Sequence, residues 1–320
     1  MTEEDTKIID TVMIGAGPSA LAAAVYTTRE DIQTVVYEKG VIGGLAAITD
    51  MIDNYPGFPD GIEGMKLADS LQKQAERFGT KIEFGQADSL SVNDDGTKTI
   101  MVDGQPVKAK TVLIATGSDY NKLGIPGEQE LYGRGVHYCA TCDGAFYRDK
   151  RLVVVGGGNS AVQEAIFLTR FATHIDLLVR STIKASDVLQ HDLQKFIDEG
   201  KVTVHLGTTP EEIVATDGKV THVTVKKDGE KSKIDTDGVF VFVGLKPNTQ
   251  FLQDSGIEFD ERGLIKTNDR LETKLPGVFA SGDVRSCATM QIASAVGEGA
   301  TAALSIREYL EDIKHTPQGK

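Results

Sequence analysis

Cys139 and Cys142 stand three residues apart in the stretch Tyr138-Cys-Ala-Thr-Cys-Asp-Gly144. Two thiols at that spacing could be half of a metal site, a structural cross-link, or a pair that exchanges disulfides. Tetrahedral zinc needs four ligands. Neither a second cysteine pair nor a histidine pair stands at ligand spacing, so no metal site is expected. A bond across so short a loop removes little entropy from the unfolded chain. Thiol–disulfide exchange is the reading left for a Cys-x-x-Cys beside a βαβ pattern. Exchange requires an attacking thiolate, a resolving partner and a source of protons. Asp143, next to Cys142, is the candidate source, and the alternative for it is a turn or N-cap aspartate. His137, two residues before the pair, is read as structural. Cys287 has no partner at useful spacing and is expected as a partly buried free thiol.

Two glycine fingerprints supply a second kind of chemistry. Gly15-x-Gly17-x-x-Ala20 follows an apolar run and opens an alanine-rich stretch. In that setting Gly15 makes the tight turn, Gly17 admits a pyrophosphate to the helix N-terminus, and Ala20 allows close helix–strand packing. Pro18 and Ser19 fall in the first turn. Glu38 ends the next apolar run, where a carboxylate accepts the ribose hydroxyls of an adenosine. The second fingerprint is Gly156-x-Gly158-x-x-Ala161, with Asn159 and Ser160 between its last two members. The following strand ends in Val179 and not in an acid, with Arg180 next and Lys184 nearby. A missing carboxylate with cations beside it suits a 2′-phosphate and hence NADPH; surface charge is the competing reading. Ser281-Gly282-Asp283 follows a later apolar run, where Asp283 reaches the ribityl or phosphate end of a nucleotide.

These residues need elements to hold them. A strand from Asp10 meets the first glycine turn, a helix covers residues 21–28, and a second strand covers 34–38. The same order repeats from Arg151, with a helix over 162–171 and a strand over 175–179. Gly15 to Glu38 spans the same interval as Gly156 to Val179. Two such starts argue for two nucleotide-binding units of one design. Each unit continues through hairpin material with turn signals, Asn93-Asp-Asp-Gly96 and Lys227-Asp-Gly229, to a closing apolar strand near Lys110 and near Asp237. After Pro247 there is no third fingerprint. A short strand over 277–280 and a helix over 291–309 are left to complete the first unit. The expected fold is α/β, with two Rossmann-like, three-layer ββα nucleotide-binding domains, the second inserted into the first. The boundaries fall at residues 1–119 with 246–320, and at 120–245 for the domain carrying the cysteine pair.

The chain has 320 residues and a net charge of −13, from 47 acidic and 34 basic side chains. Such a balance offers no basic face to a phosphate backbone or an anionic lipid, so neither nucleic acid nor membrane is expected as a partner. The first ten residues carry no secretory pattern. No apolar run approaches the roughly 20 residues that span a bilayer. With so few cysteines a cytoplasmic setting is expected, and the tail after Lys314 reads as polar and loose.

With these motifs assembled, the chain resembles the low-molecular-weight thioredoxin reductases from about Ile9 to Leu310. The matching segments are the two fingerprints, Asn54-Tyr-Pro-Gly-Phe-Pro59, Ala115-Thr116-Gly117, Cys-Ala-Thr-Cys-Asp143 and Gly282-Asp-Val284 followed by Gln291. The resemblance implies FAD on the first fingerprint with Glu38 on its ribose. It places Gly44, Leu45, Asn54, Thr116, Gly117, Gly282, Asp283, Gln291 and Ile292 around that cofactor. It implies Cys142 against the flavin, Cys139 as the attacker of a thioredoxin-like substrate, Asp143 as proton shuttle, and a homodimer. It also implies a pyridine-nucleotide domain that swings on links near Asp119 and Gly244. Three departures bear on the electron donor and the flavin surroundings. The usual His-Arg-Arg is Val179-Arg180-Ser181, the usual Gly-Gly-Gln is Gly43-Gly44-Leu45, and the usual Arg before Gln291 is Met290. NADH, ferredoxin or another donor therefore stands beside NADPH. A non-catalytic flavin redox sensor is the reading outside enzymology. A ferredoxin–NADP reductase is disfavoured by the cysteine pair.

Overall fold

The structure is a computed structural model that describes residues 8–49 and 51–315. The leader reading falls almost wholly outside the described residues, and so does the tail from 316. Two compact units divide the chain, residues 1–119 with 246–320 and residues 120–245.

In the first unit, β1 (Ile9–Ile14) is flanked by β2 (Thr34–Glu38) on one side and by Gln105–Ile114 on the other, all parallel. Lys81–Phe84 extends the sheet beyond β2, and Val278–Ala280 joins it beside Gln105–Ile114. Alternation along each strand decides what packs where. Met13, Leu113 and Phe279 face α1 (Pro18–Arg29) and the helices Gly64–Arg77 and Ile292–His315. Their neighbours Val12, Ile14, Val112 and Ile114 face the opposite way. There they meet Leu90 and Ile100 of an antiparallel meander, Ala87–Val92 and Lys98–Val102. The result is three layers, helices over parallel sheet over meander. The strand Val278–Ala280 and the last helix return to this unit after the second unit is complete, as the missing third fingerprint requires.

The second unit repeats the plan. Its parallel sheet runs Val136–His137, Gly238–Val241, Arg151–Val155, His174–Val179, Val202–Leu206. Leu152 and Val154 face the helices Asn159–Leu168 and Asp187–Asp198. Val153 and Val155 face the meander Thr208–Thr216, Lys219–Lys227, Glu230–Asp235. Both hairpin turns sit where the sequence placed them, and the strand Thr34–Glu38 has the bounds expected. The helices begin earlier than expected, at Pro18 and Asn159, because each starts at the fingerprint itself.

Candidate functional site

The first fingerprint is held open by backbone geometry. Gly15 has a φ of +94°, and a Cβ there would lie 2.6 Å from the Ala115 carbonyl oxygen. Only glycine fits where β1 and the strand ending at Ile114 turn away from each other. Gly17 is different: a Cβ there meets nothing within 4 Å, so the space over the N-terminus of α1 is free of protein. Such a crevice, outside the carboxyl ends of adjacent parallel strands, is where nucleotides lie in open α/β sheets. Pro18, Ser19 and Ala20 form the first helical turn.

Around that crevice the fold assembles most of the residues singled out above. Glu38 accepts the Ala16 amide at 2.7 Å and the Gly40 amide at 2.7 Å, which fixes its carboxylate at the end of β2. The Gly43 amide bonds the Ala16 carbonyl at 2.7 Å, so the short helix Gly44–Ala47, with Leu45, is tied to the same loop. Asn54 donates to the Gln291 side chain at 3.1 Å, and Ile292 opens the last helix. Thr116 and Asn248 exchange two bonds, at 2.8 and 3.1 Å, beside Gly117. Ser19 and Ser281 join hydroxyls at 2.6 Å, docking the turn that carries Gly282 and Asp283 onto α1. Glu298 holds that turn from the far side, accepting from the Gly282 amide and from Arg285. Asp283 is pushed up to about 6 by burial and, secondarily, by the charge of Glu298. Its carboxyl takes no hydrogen bond from any described residue, so a polar ligand would satisfy it. Free space over a helix N-terminus, a placed ribose-type carboxylate and an unpartnered acid at the other end together fit a dinucleotide.

In the second unit Gly156 plays the part of Gly15, since a Cβ would lie 2.4 Å from the Phe242 carbonyl oxygen. Gly158 again looks onto open space. Asn159 and Ser160 start the helix, and Asn159 accepts the Ser186 amide at 2.8 Å. The Lys184 amide donates to the Gly157 carbonyl at 2.6 Å, folding residues 180–186 back toward the fingerprint. Arg180 and Lys184 are exposed there, and neither side chain forms an ion pair with a described residue.

The cysteine pair follows the edge strand Val136–His137 of this same sheet. Cys139 caps the short helix Ala140–Asp143, its sulfur accepting the Cys142 amide at 3.1 Å, and the two cysteines are joined as a disulfide. Asp143 does not behave as a capping aspartate. Its side chain makes no cap bond to the 3-10 helix Gly144–Tyr147 that follows. Instead Oδ2 lies 3.1 Å from Nδ1 of His137, and Nε2 of that ring lies 2.7 Å from the Tyr147 hydroxyl. Sequence reasoning set His137 aside and passed over Tyr147 and Glu128. Glu128 is buried and accepts three bonds, from the Leu123 and Gly124 amides and from Tyr138, the residue preceding Cys139. A buried acid four to five residues from a Gly turn was the available signal. One expectation is corrected: Cys287 is exposed, not partly buried. It sits on an irregular turn with a φ of +65°, where no core element passes over it.

The architecture is that of a two-nucleotide α/β protein with a redox disulfide on its second unit. Residues 9–299 match the family described as pyridine nucleotide-disulphide oxidoreductase. Thioredoxin reductase from Bacillus subtilis is 42% identical over 319 residues, covering 99% of this chain and 98% of its own. The Streptococcus pyogenes thioredoxin reductase structure superposes with a TM-score of 0.90 at 38% identity, covering 96% of this chain and 100% of its own. A thioredoxin reductase from Giardia duodenalis gives 0.89 at 30% identity, over 95% of this chain and 99% of its own. The chain belongs to the pyridine nucleotide-disulphide oxidoreductases, among the low-molecular-weight thioredoxin reductases. No helix among the described residues is long and apolar enough to cross a membrane.

Proposed function

We infer that this chain is a thioredoxin-disulfide reductase. The observation that carries the reading is the Cys139–Cys142 disulfide, set beside a carboxyl and housed in a chain with two glycine-fingerprint units. The first unit is assigned to FAD, held by residues 15–20, Glu38, Gly44, Leu45, Asn54, Thr116, Gly117, Gly282, Asp283, Gln291 and Ile292. The second is assigned to a pyridine nucleotide, held by Gly156, Gly158, Asn159 and Ser160. When bound, the flavin supplies a two-electron link between a nicotinamide hydride and a disulfide.

The chain's own residues do the rest. Reduction of the pair yields two thiols. Cys139 attacks a disulfide of a thioredoxin-like protein, and Cys142 then attacks the sulfur of Cys139 to release the product and restore the bond. Asp143 carries protons from the enzyme thiols to the leaving sulfurs. Phe146, exposed four residues beyond Cys142, adds an apolar contact for a protein substrate. NADPH is the proposed donor, with Arg180 and Lys184 on its 2′-phosphate. A homodimer in the cytoplasm completes the reading.

Turnover of oxidised thioredoxin by wild-type protein and by Cys142→Ser, with NADPH and then NADH, tests it. Loss of turnover in the variant is expected, and a variant at the full wild-type rate would sink the reading. A second donor has one observation in its favour, the replacement of a two-arginine run by Val179-Arg180-Ser181. Flavin reduction by neither nucleotide, with full reduction by dithionite, would select a ferredoxin-like donor.

A further inference from the structure

We propose that His137 is a positioning residue for Asp143, holding its carboxyl by one oxygen so that the other exchanges protons with the cysteine pair. This rests on the reading of Asp143 as the proton carrier. His137 is 5% exposed, on the edge strand that leads into Cys139. Its ring stacks on Phe240 with centroids 5.1 Å apart, and Tyr147 stands edge-on to both rings. A ring wedged this way has one orientation, with Nδ1 toward Asp143 and Nε2 toward Tyr147.

The proton positions follow from the partners. Burial, and then the charges of Asp143 and Asp237, push the Tyr147 hydroxyl above its ordinary range, so it keeps its proton and donates. Nε2 is therefore the acceptor, and the neutral ring carries its proton on Nδ1, donating to Oδ2 of Asp143. Tyr132 also faces Asp143 and is likewise raised, first by burial and then by that carboxylate. The titratable groups around the chain are thus Tyr132 and Tyr147 on Asp143, with Asp237 acting on Tyr147. Phe240 closes the apolar side. The arrangement has the form of a base oriented by a third group, here with the carboxyl as the working end.

Each exchange step then balances. Asp143 takes the proton of the Cys139 thiol, and the thiolate attacks the substrate disulfide. The substrate S–S bond breaks, a Cys139–substrate bond forms, and the leaving sulfur takes the electron pair and the proton from Asp143. Asp143 next takes the proton of the Cys142 thiol. Cys142 attacks Cys139, the second substrate sulfur leaves with that proton, and the enzyme disulfide returns. The substrate gains two protons and two electrons and the enzyme loses the same.

The test uses holoenzyme reduced anaerobically with stoichiometric dithionite and mixed with oxidised thioredoxin across pH 5.5 to 9. His137→Phe keeps the stacking and removes both bonds. We expect its exchange rate to fall about tenfold with KM for thioredoxin unchanged. The midpoint of its pH profile should move up by about one unit, because a carboxyl that loses a donor holds its proton more firmly. His137→Gln, which can donate and accept, should recover most of the loss. A wild-type rate and profile in His137→Phe, with Asp143→Asn slow, would overturn the proposal and leave the proton role of Asp143 standing. A fully active Asp143→Asn would remove both. Independently of any variant's folding, ¹⁵N spectra of wild-type holoenzyme should show His137 protonated on Nδ1 alone, and a proton on Nε2 would contradict the assignment.

Discussion

Replacing Glu128 by alanine strands the three donors that converge on its carboxylate: the Leu123 amide at 2.7 Å, the Gly124 amide at 2.7 Å and the Tyr138 hydroxyl at 2.6 Å. They are not equivalent. Gly124 is exposed and Leu123 half-buried, so water replaces much of what those amides lose. Tyr138 is 6% exposed, stacked on Tyr120 at 5.2 Å, and its hydroxyl is pushed well above its ordinary range by burial and by Glu128. That hydroxyl keeps its proton and has no route to solvent. A stranded buried donor costs about 1–3 kcal/mol and a half-exposed amide less, so Glu128→Ala should cost roughly 2–4 kcal/mol. Hydrogen exchange of the amides of Leu123 and Val136 reads this as a local opening free energy. Tyr138→Phe in the Glu128→Ala background removes the orphan, so the double variant should recover about 1–2 kcal/mol of the sum of the single costs. A Glu128→Ala protein within about 0.5 kcal/mol of wild type, or strict additivity in the cycle, would refute the argument.

Other consequences are as direct. Gly15→Ala forces a Cβ against the Ala115 carbonyl at a φ of +94°; flavin content, read as visible absorbance per chain, should fall at least about tenfold, and full occupancy would contradict the assignment of this loop. Lys98 is fully buried against Tyr309 and pushed down from 10.5 to about 8 by burial. Its charge therefore costs stability in full below pH 8. The cost disappears as pH rises from 8 to above 10.5, a gain of roughly 3 kcal/mol on this group's account. Urea unfolding of wild type and Lys98→Met across that window should show the gain in the former only. Asp283, raised to about 6, works the other way: without flavin, the stability tied to its neutral form is whole below about 4 and lost as pH rises through 6. Asp283→Asn should stabilise flavin-free protein above pH 6 while weakening FAD binding; fluorescence titration with FAD checks the second half.

Much of the frame was legible because it depends on period and on glycine. Val12 and Met13 face opposite layers as alternation demands, and Gly15 and Gly156 mark turns that no other residue could make. The meanders announced themselves through Asp-Gly turns. What escaped was carried by contacts without period. His137, Asp143 and Tyr147 lie on a strand, a four-residue helix and a 3-10 turn, so no spacing rule predicts that their side chains meet. Glu128 reads as one more loop acid until Tyr138 is seen pointing at it. Lys98 reads as a solvated strand residue, and only the last helix, more than two hundred positions later, brings Tyr309 over it.

The account stands or falls on whether electrons pass between a flavin and the Cys139–Cys142 bond. Anaerobic dithionite titration of the purified yellow protein, followed at the flavin band with free thiols counted at the end, asks this directly. Wild type should take up about four electrons per chain, two into the flavin and two into the disulfide, and expose two new thiols. Cys139→Ser with Cys142→Ser should take up about two and expose none. Flavin reduction after about two electrons in wild type, with the disulfide intact, would contradict the central claim.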